Sequence, residues 1–362
     1  MKFGHFTHVW GKPGMTGAQR YQQLWRELKL CDDLRFDFGF SVEHHFRPDE
    51  SWMPSPSAFV IGAGVQTRHI RLGAMGYVVP LHHPVRLAEE IILADHMLEG
   101  RLEVGLVPGI VKAYFGPYGA DYEPRRAVTL EFVDFLRRAC AATEPFDYQG
   151  QHHKANGVLM CMPPLQRPHP PLWIETRDPP TLEFCAREGI NTGYFFLFDR
   201  TTARSRYSTY LANWKAAGWT HKPNIAYSTA IYVDETDQKA IDRGLQQAGR
   251  AYRGFVGQAG SESELQKLLA QHAEKFYERG EVAAAEVVMH LADPEWLLEH
   301  DLVLVGSPDT VARKLREWAT EGIFNTYFGE FNYGTLAEED LMRSIRLFGT
   351  EVIPQLRDFE PF

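Results

Sequence analysis

FGFSVEHHF, residues 38–46, is a short apolar strand ending in three ionisable groups, Glu43, His44 and His45. An amphipathic helix leads into it, with Leu24, Leu28, Cys31 and Leu34 at i, i+4, i+7 and i+10 from Gln19 onward. A helix, a buried strand and then polar groups where the strand meets open space make a unit suited to carrying a site on a rigid scaffold. The fold turns on whether this unit repeats.

It does repeat. Residues 2–9 read as a first strand, and 36–42, 70–80, 102–107, 171–175, 192–198 and 225–233 as the next six, with helical stripes such as Leu87, Ile91, Ala94 and Leu98 between them. Residues 146–163 read as a small β excursion that turns at Gly150 and Asn156-Gly157. A charged, mostly helical stretch, 237–300, interrupts the rhythm. The pattern resumes with 303–305, a helix carrying Val311, Leu315 and Trp318, and the apolar run 323–331.

About eight strand and helix alternations with no linker-like break in composition predict a single (β/α)8 TIM barrel spanning residues 1–362. The helical insertion 237–300 falls between strands 7 and 8 and is a candidate lid. An open doubly wound sheet is the alternative.

A formal charge of -9 and the lack of a basic stripe argue against nucleic acid as a partner. No run reaches the roughly 18 apolar residues of a membrane span, and no leader pattern follows Met1, so the reading is cytoplasmic. Cys31, Cys140, Cys161 and Cys185 are far apart and form no C-x-x-C pair, which favours reduced thiols. No phosphate-binding loop, hydrolase elbow or metal-ligand set is present, and Gly62-x-Gly64 lacks the rest of a dinucleotide fingerprint.

A barrel keeps its chemistry at the C-terminal ends of its strands. His44 and His45 are consecutive there, so alternation sends one into the mouth and the other toward the helices. The residues alone leave open whether His44 is functional or a hydrogen-bonded strand-end histidine. Arg126 and Arg177 lie at helix starts, where they either reach an anion or are solvated surface arginines.

As an ordered set, several motifs resemble the bacterial luciferase-like flavin monooxygenase family. They are Lys2-Phe3-Gly4, Glu43-His44-His45-Phe46, Leu72-Gly73-Ala74-Met75, Pro80-Leu81-His82-His83-Pro84-Val85-Arg86, Glu99-Gly100-Arg101-Leu102, Tyr148-Gln149-Gly150 and Gly306-Ser307-Pro308. The resemblance covers nearly the whole chain. It implies a TIM barrel that binds reduced FMN (FMNH2) from a separate NAD(P)H:flavin reductase and reacts it with O2 to a C4a-(hydro)peroxyflavin. That species then oxygenates a small organic molecule. It also implies a homodimer.

Carried over residue by residue, the resemblance makes His44 the catalytic proton donor or acceptor. Met75-Gly76 becomes a cis peptide under the flavin ring, with Val107 and Gly109 beneath it. Arg126 and Thr181 become phosphate contacts. Pro108 stands where the family has a second phosphate arginine, and Asp178 where a small hydroxyl residue is common, so Arg177 is expected to restore the missing charge. Phe6, His8, Trp10, Phe195, Phe196, Phe198, Tyr227 and Phe331 are the expected substrate wall, which points to an apolar or aromatic substrate. Two further readings are an F420-dependent oxidoreductase on the same barrel and a non-catalytic flavin-binding subunit.

Overall fold

Alternation along parallel strands decides which side chains fill a barrel and which face its helices. The structure is a computed structural model that describes residues 1–48, 50–195, 200–256, 261–278 and 280–362, with only the backbone described for 253–256. The barrel strands are β1 (Lys2–Thr7), β2 (Phe38–Ser41), β3 (Arg71–Ala74, taken up again at Tyr77–Val78) and β4 (Val104–Val107). They continue as β5 (Leu172–Glu175), β6 (Asn191–Phe195), β7 (Ile225–Val233) and β8 (Thr326–Glu330).

Each strand pairs in parallel with the next, and β8 pairs with β1 through Lys2↔Thr326 to Phe6↔Glu330, so the ring closes. This is the (β/α)8 architecture the sequence predicts. The seam between β3 and β4 needs two glycines: a Cβ on Gly105 would lie 1.9 Å from the Ala74 carbonyl oxygen, and one on Gly76 2.4 Å from the Gly105 carbonyl.

One strand assignment shifts. Leu304–Gly306 does form a strand, but it pairs with Ile231 to Val233 at the far end of β7, outside the ring. The eighth barrel strand is Thr326–Glu330, within the predicted apolar run. The β excursion is the antiparallel hairpin Phe146–Gln149 and Lys154–Val158. Among the described residues of 237–300, the chain is helical at Asp237–Ala240, Ile241–Leu245 (a π-helical turn), Gln246–Val256, Glu262–Tyr277, Val282–Met289 and Pro294–Glu299.

Four aromatic rings fill the middle of the barrel. Phe38, Phe40, Trp173 and Phe328 pack with ring centroids between 4.8 Å and 5.9 Å apart, mostly edge to face or tilted. Gly4 leaves room for them, since a Cβ there would lie 2.4 Å from the Phe328 ring. Below, the Trp173 indole donates to Glu103 Oε2 at 2.6 Å, which satisfies its buried N–H. Above, period two places Phe6, Val42, Glu175 and Glu330 one layer higher. The aromatic layer is the floor of the barrel mouth.

The opposite faces hold the helical shell. His5 points outward to Glu27 (3.1 Å), which also accepts from Arg20 at 3.1 Å and Asn332 at 2.5 Å. Burial opposes ionisation of Glu27, but Arg20 and His5 outweigh it and hold the carboxyl below its usual range. The network locks the helix Gly17–Asp33 against β1 and the end of β8.

Phe328→Ala is expected to cost about 3–5 kcal/mol of unfolding free energy, because the other three rings cannot close the gap. Urea titration would show a lowered midpoint at unchanged slope. Phe46→Ala, at a side chain that is 64% exposed, is expected to change stability by only about 0.5 kcal/mol or less.

Candidate active site

Two histidines stand over the floor, each held by its own carboxylate. His8 continues β1 two residues beyond Phe6, whose ring meets it edge-on at 5.3 Å. Glu330, at the end of β8, accepts from the His8 backbone N–H (3.0 Å), from His8 Nδ1 (2.9 Å) and from the Trp10 indole (2.6 Å). His44 continues β2 two residues beyond Val42, and its Nδ1 lies 2.8 Å from Glu50 Oε1. Arg47 Nε lies 2.9 Å from the other oxygen of that carboxylate. The two imidazoles face each other edge-on, with centroids 5.4 Å apart.

These carboxylates fix the tautomers. With Nδ1–H turned to Glu50, the His44 Nε2 carries the lone pair and makes no hydrogen bond among the described residues. The environments also separate the two rings electrostatically. Burial lowers the His44 pKa below the ordinary value despite Glu50, with the His8 ring and Arg47 acting in the same direction. For His8 burial alone would do the same, but the charge and hydrogen bond of Glu330 outweigh it and the pKa is raised, with help from Glu50 and Glu175. His8 therefore keeps its proton at a pH where His44 has lost its own, which is how one site presents an acid and a base together.

Glu175 completes the ring of carboxyls. It lies two residues above Trp173 on β5, and burial pushes it up to about 7 against the opposing charges of His8 and Arg177. Glu50, Glu175 and Glu330 were not singled out from the sequence. For Glu175 and Glu330 the available signal was their even spacing from the interior rings Trp173 and Phe328. For Glu50, on a loop, there was none.

His45 points the other way, as alternation requires. Its Nε2 pairs with Glu43 Oε1 at 3.0 Å and its Nδ1 lies 3.0 Å from the Tyr118 hydroxyl. Glu43 also binds His82 Nε2 at 2.9 Å and accepts the Val78 N–H at 2.8 Å. Burial opposes its ionisation, but the hydrogen bonds from His45 and His82 hold it below the usual range. This cluster anchors the chain after β3, where the Met75-Gly76 peptide is cis.

The Met75 N–H donates to Ser41 O at 2.7 Å, next to the start of the His44 segment. Val107 packs with Val78, Tyr114 and Phe115 in an apolar patch, and the Tyr114 ring lies 6.1 Å from His44. Gly109 adopts φ +75°, and a Cβ there would lie 2.7 Å from Val78.

Of the expected substrate wall, Phe6, His8 and Trp10 line the mouth. Phe195 sits at the end of β6 on the face opposite Tyr194, whose ring stacks outward on Tyr207 at 4.9 Å. Phe196 and Phe198 lie outside the described residues. Tyr227 and Phe331 do not belong to the wall. Tyr227 stacks on Phe324 at 5.0 Å and meets Trp318 at 6.2 Å, within the helical shell. Phe331 is buried among His5 at 5.8 Å, Phe36 at 6.0 Å and Phe348 at 5.3 Å. Each occupies the outward-facing parity of its strand, so aromatic character alone misled.

Arg126 and Thr181 come together at the start of the helix Pro179–Arg187, but around a carboxylate of the chain itself. Asp178 Oδ2 accepts from the Thr181 N–H (3.2 Å) and hydroxyl (2.7 Å), and Arg126 Nη1 lies 3.4 Å from Oδ1. Arg177 does not supply the missing charge there. Its guanidinium binds Glu281 at 2.8 Å and lies over the Phe276 ring at 5.4 Å. The apolar patch and two histidines fit a flat heteroaromatic ring with polar edges, whereas the helix start does not fit a phosphate.

Residues 1–324 match the family model described as luciferase-like monooxygenase. The oxygenase component of the flavin-dependent trigonelline monooxygenase of Acinetobacter baylyi is 28% identical over 53% of this chain and 53% of its own length. The chain spans about half the length of the first curated relatives it matches. Among solved structures, monooxygenase RslO1 of Streptomyces bottropensis superposes with a TM-score of 0.81 at 26% identity, covering 98% of this chain and 99% of its own. The oxygenating constituent of 3,6-diketocamphane monooxygenase of Pseudomonas putida, in complex with FMN, superposes with a TM-score of 0.77 over 98% of each chain, which at 19% identity is a likeness of fold. The family match runs through every strand of the barrel except β8, and on that ground the chain belongs to the luciferase-like monooxygenase family.

Proposed function

We propose that the chain is the oxygenase component of a two-component system. It takes reduced FMN from a separate NAD(P)H:flavin reductase, together with O2, and places one oxygen atom on an apolar or aromatic organic substrate while the other leaves as water. The observation that carries this reading is the pair of carboxylate-held histidines, 5.4 Å apart above an aromatic floor. The oxygenase-component relative supports the two-component arrangement. When bound, the reduced flavin supplies the electrons that activate O2.

The chain's own residues handle protons and water. Neutral His44 accepts a proton at Nε2, and Glu50 stabilises the imidazolium that results. Protonated His8, oriented by Glu330, places positive charge and a donor on the opposite side. The four-ring floor and the patch around Tyr114 keep water from the reacting centre. The Arg177–Glu281 pair and the Arg177–Phe276 contact join the 237–300 segment to the end of β5, which supports reading that segment as a lid.

The direct test is reoxidation of FMNH2 by O2, followed by flavin absorbance with and without the protein. Protein-dependent slowing supports the proposal, and identical decay contradicts it. Oxygen-independent hydride transfer with F420 would assign the barrel to that chemistry instead.

His44→Ala is expected to lower kcat by about 10²–10⁴-fold with the fold retained by near-ultraviolet circular dichroism. Unchanged turnover would remove His44 from the reaction.

The active form has His44 neutral and His8 protonated. Turnover is therefore expected to rise through a pKa below about 6.5 and fall through one above it, the ordinary histidine value. His8→Gln is expected to abolish the alkaline fall, and Glu175→Gln to leave it in place. An alkaline fall that survives His8→Gln and disappears in Glu175→Gln would transfer the acid role to Glu175.

A further inference from the structure

We infer that this chain holds its reduced flavin without gripping a phosphate, and so takes reduced riboflavin as readily as reduced FMN. The inference rests on the flavin reading above and concerns the end of the cofactor that does no chemistry.

A helix start binds an anion through its free N–H groups and its dipole. The helix Pro179–Arg187 begins just past β5, at the barrel mouth, where such an anion would sit. Its first two residues are Pro179 and Pro180, which have no N–H to give. The Thr181 N–H and hydroxyl both go to Asp178 Oδ2, at 3.2 Å and 2.7 Å, and the Leu182 N–H goes to the Asp178 carbonyl at 2.9 Å. Asp178 donates its own N–H to Thr176 Oγ1 at 3.1 Å. The helix start already holds an anion, and that anion is part of the chain.

Two nearby arginines face carboxylates of the chain, and a third, Arg206, donates to the Arg177 carbonyl. Arg126 faces Asp178 at 3.4 Å, and Arg177 is held by Glu281 at 2.8 Å and by the Phe276 ring. Just past β4, Pro108 offers neither a side-chain nor a backbone donor. A phosphate monoester carrying close to two negative charges would meet the Asp178 carboxylate at short range, with the Thr181 donors and one Arg126 nitrogen already turned to it. Riboflavin is FMN with a hydroxyl in place of that phosphate. Its ring is the same and it brings no charge to the helix start.

The test is anaerobic titration of the intact protein with chemically reduced FMN and reduced riboflavin, followed by quenching of tryptophan fluorescence. The two dissociation constants are expected to agree within about threefold, a free-energy difference below the tenfold step of about 1.4 kcal/mol. Asp178→Ser keeps an N-cap hydroxyl and removes the charge, so it is expected to tighten FMN about tenfold and leave riboflavin unchanged. A wild-type preference for FMN of about 30-fold or more would show that Asp178 gives way to the phosphate; it would overturn the inference and leave the flavin reading standing. Equal tightening of both flavins in Asp178→Ser would also overturn it. Binding of neither reduced flavin would overturn the inference and the reading together.

Discussion

Packing of four aromatic rings inside the barrel is the constraint on which the rest depends. Phe38, Phe40, Trp173 and Phe328 come from three strands and fill the barrel interior, with Phe38 and Phe40 one step apart on the same strand. Because side chains alternate along a strand, that packing fixes what stands above it: Phe6 on β1 and His8 just past its end, Val42 and His44 past the end of β2, Glu175 on β5 and Glu330 on β8. Buried aromatics of this size contribute stability through contact area and leave little freedom to slide, so the height and spacing of the polar ring are set by the apolar layer beneath it.

Above that floor, carboxylates determine what the histidines can do. Glu330 and Glu50 each hold an imidazole by Nδ1, yet the outcomes differ because His8 feels several negative groups while His44 sits next to His8 and Arg47. The same residue type thus gains opposite proton affinities within 5.4 Å. His45, one residue along, is spent on Glu43 and the chain after β3. A doublet that looks like one feature in the sequence is two features facing opposite sides of the barrel wall.

Much of the fold was legible because its signals are periodic. Seven of the barrel strands and most helices show as apolar runs and stripes, and the parity of His44 against His45 follows from strand geometry alone. The site is less legible, because which strand-end residues face the mouth emerges only by counting from an interior residue of each strand. Tyr227 and Phe331 were assigned to the mouth for their rings, although each is one residue out of phase with the interior positions Ser228 and Glu330. Glu50 is a different case: it reaches His44 from a loop, and no local pattern announces a partner set by tertiary packing. Arg177 shows the same limit, since its pairing with Glu281 joins positions 104 residues apart.

The central claim, that two histidines of unlike protonation share the barrel mouth, is tested most directly by NMR titration of the imidazole carbons in histidine-labelled protein. Signals are assigned by their loss in His8→Gln and His44→Gln. The expected result is that His44 titrates below and His8 above about 6.5, the ordinary histidine value. Titration of both rings at one common value, or in the reverse order, would contradict it.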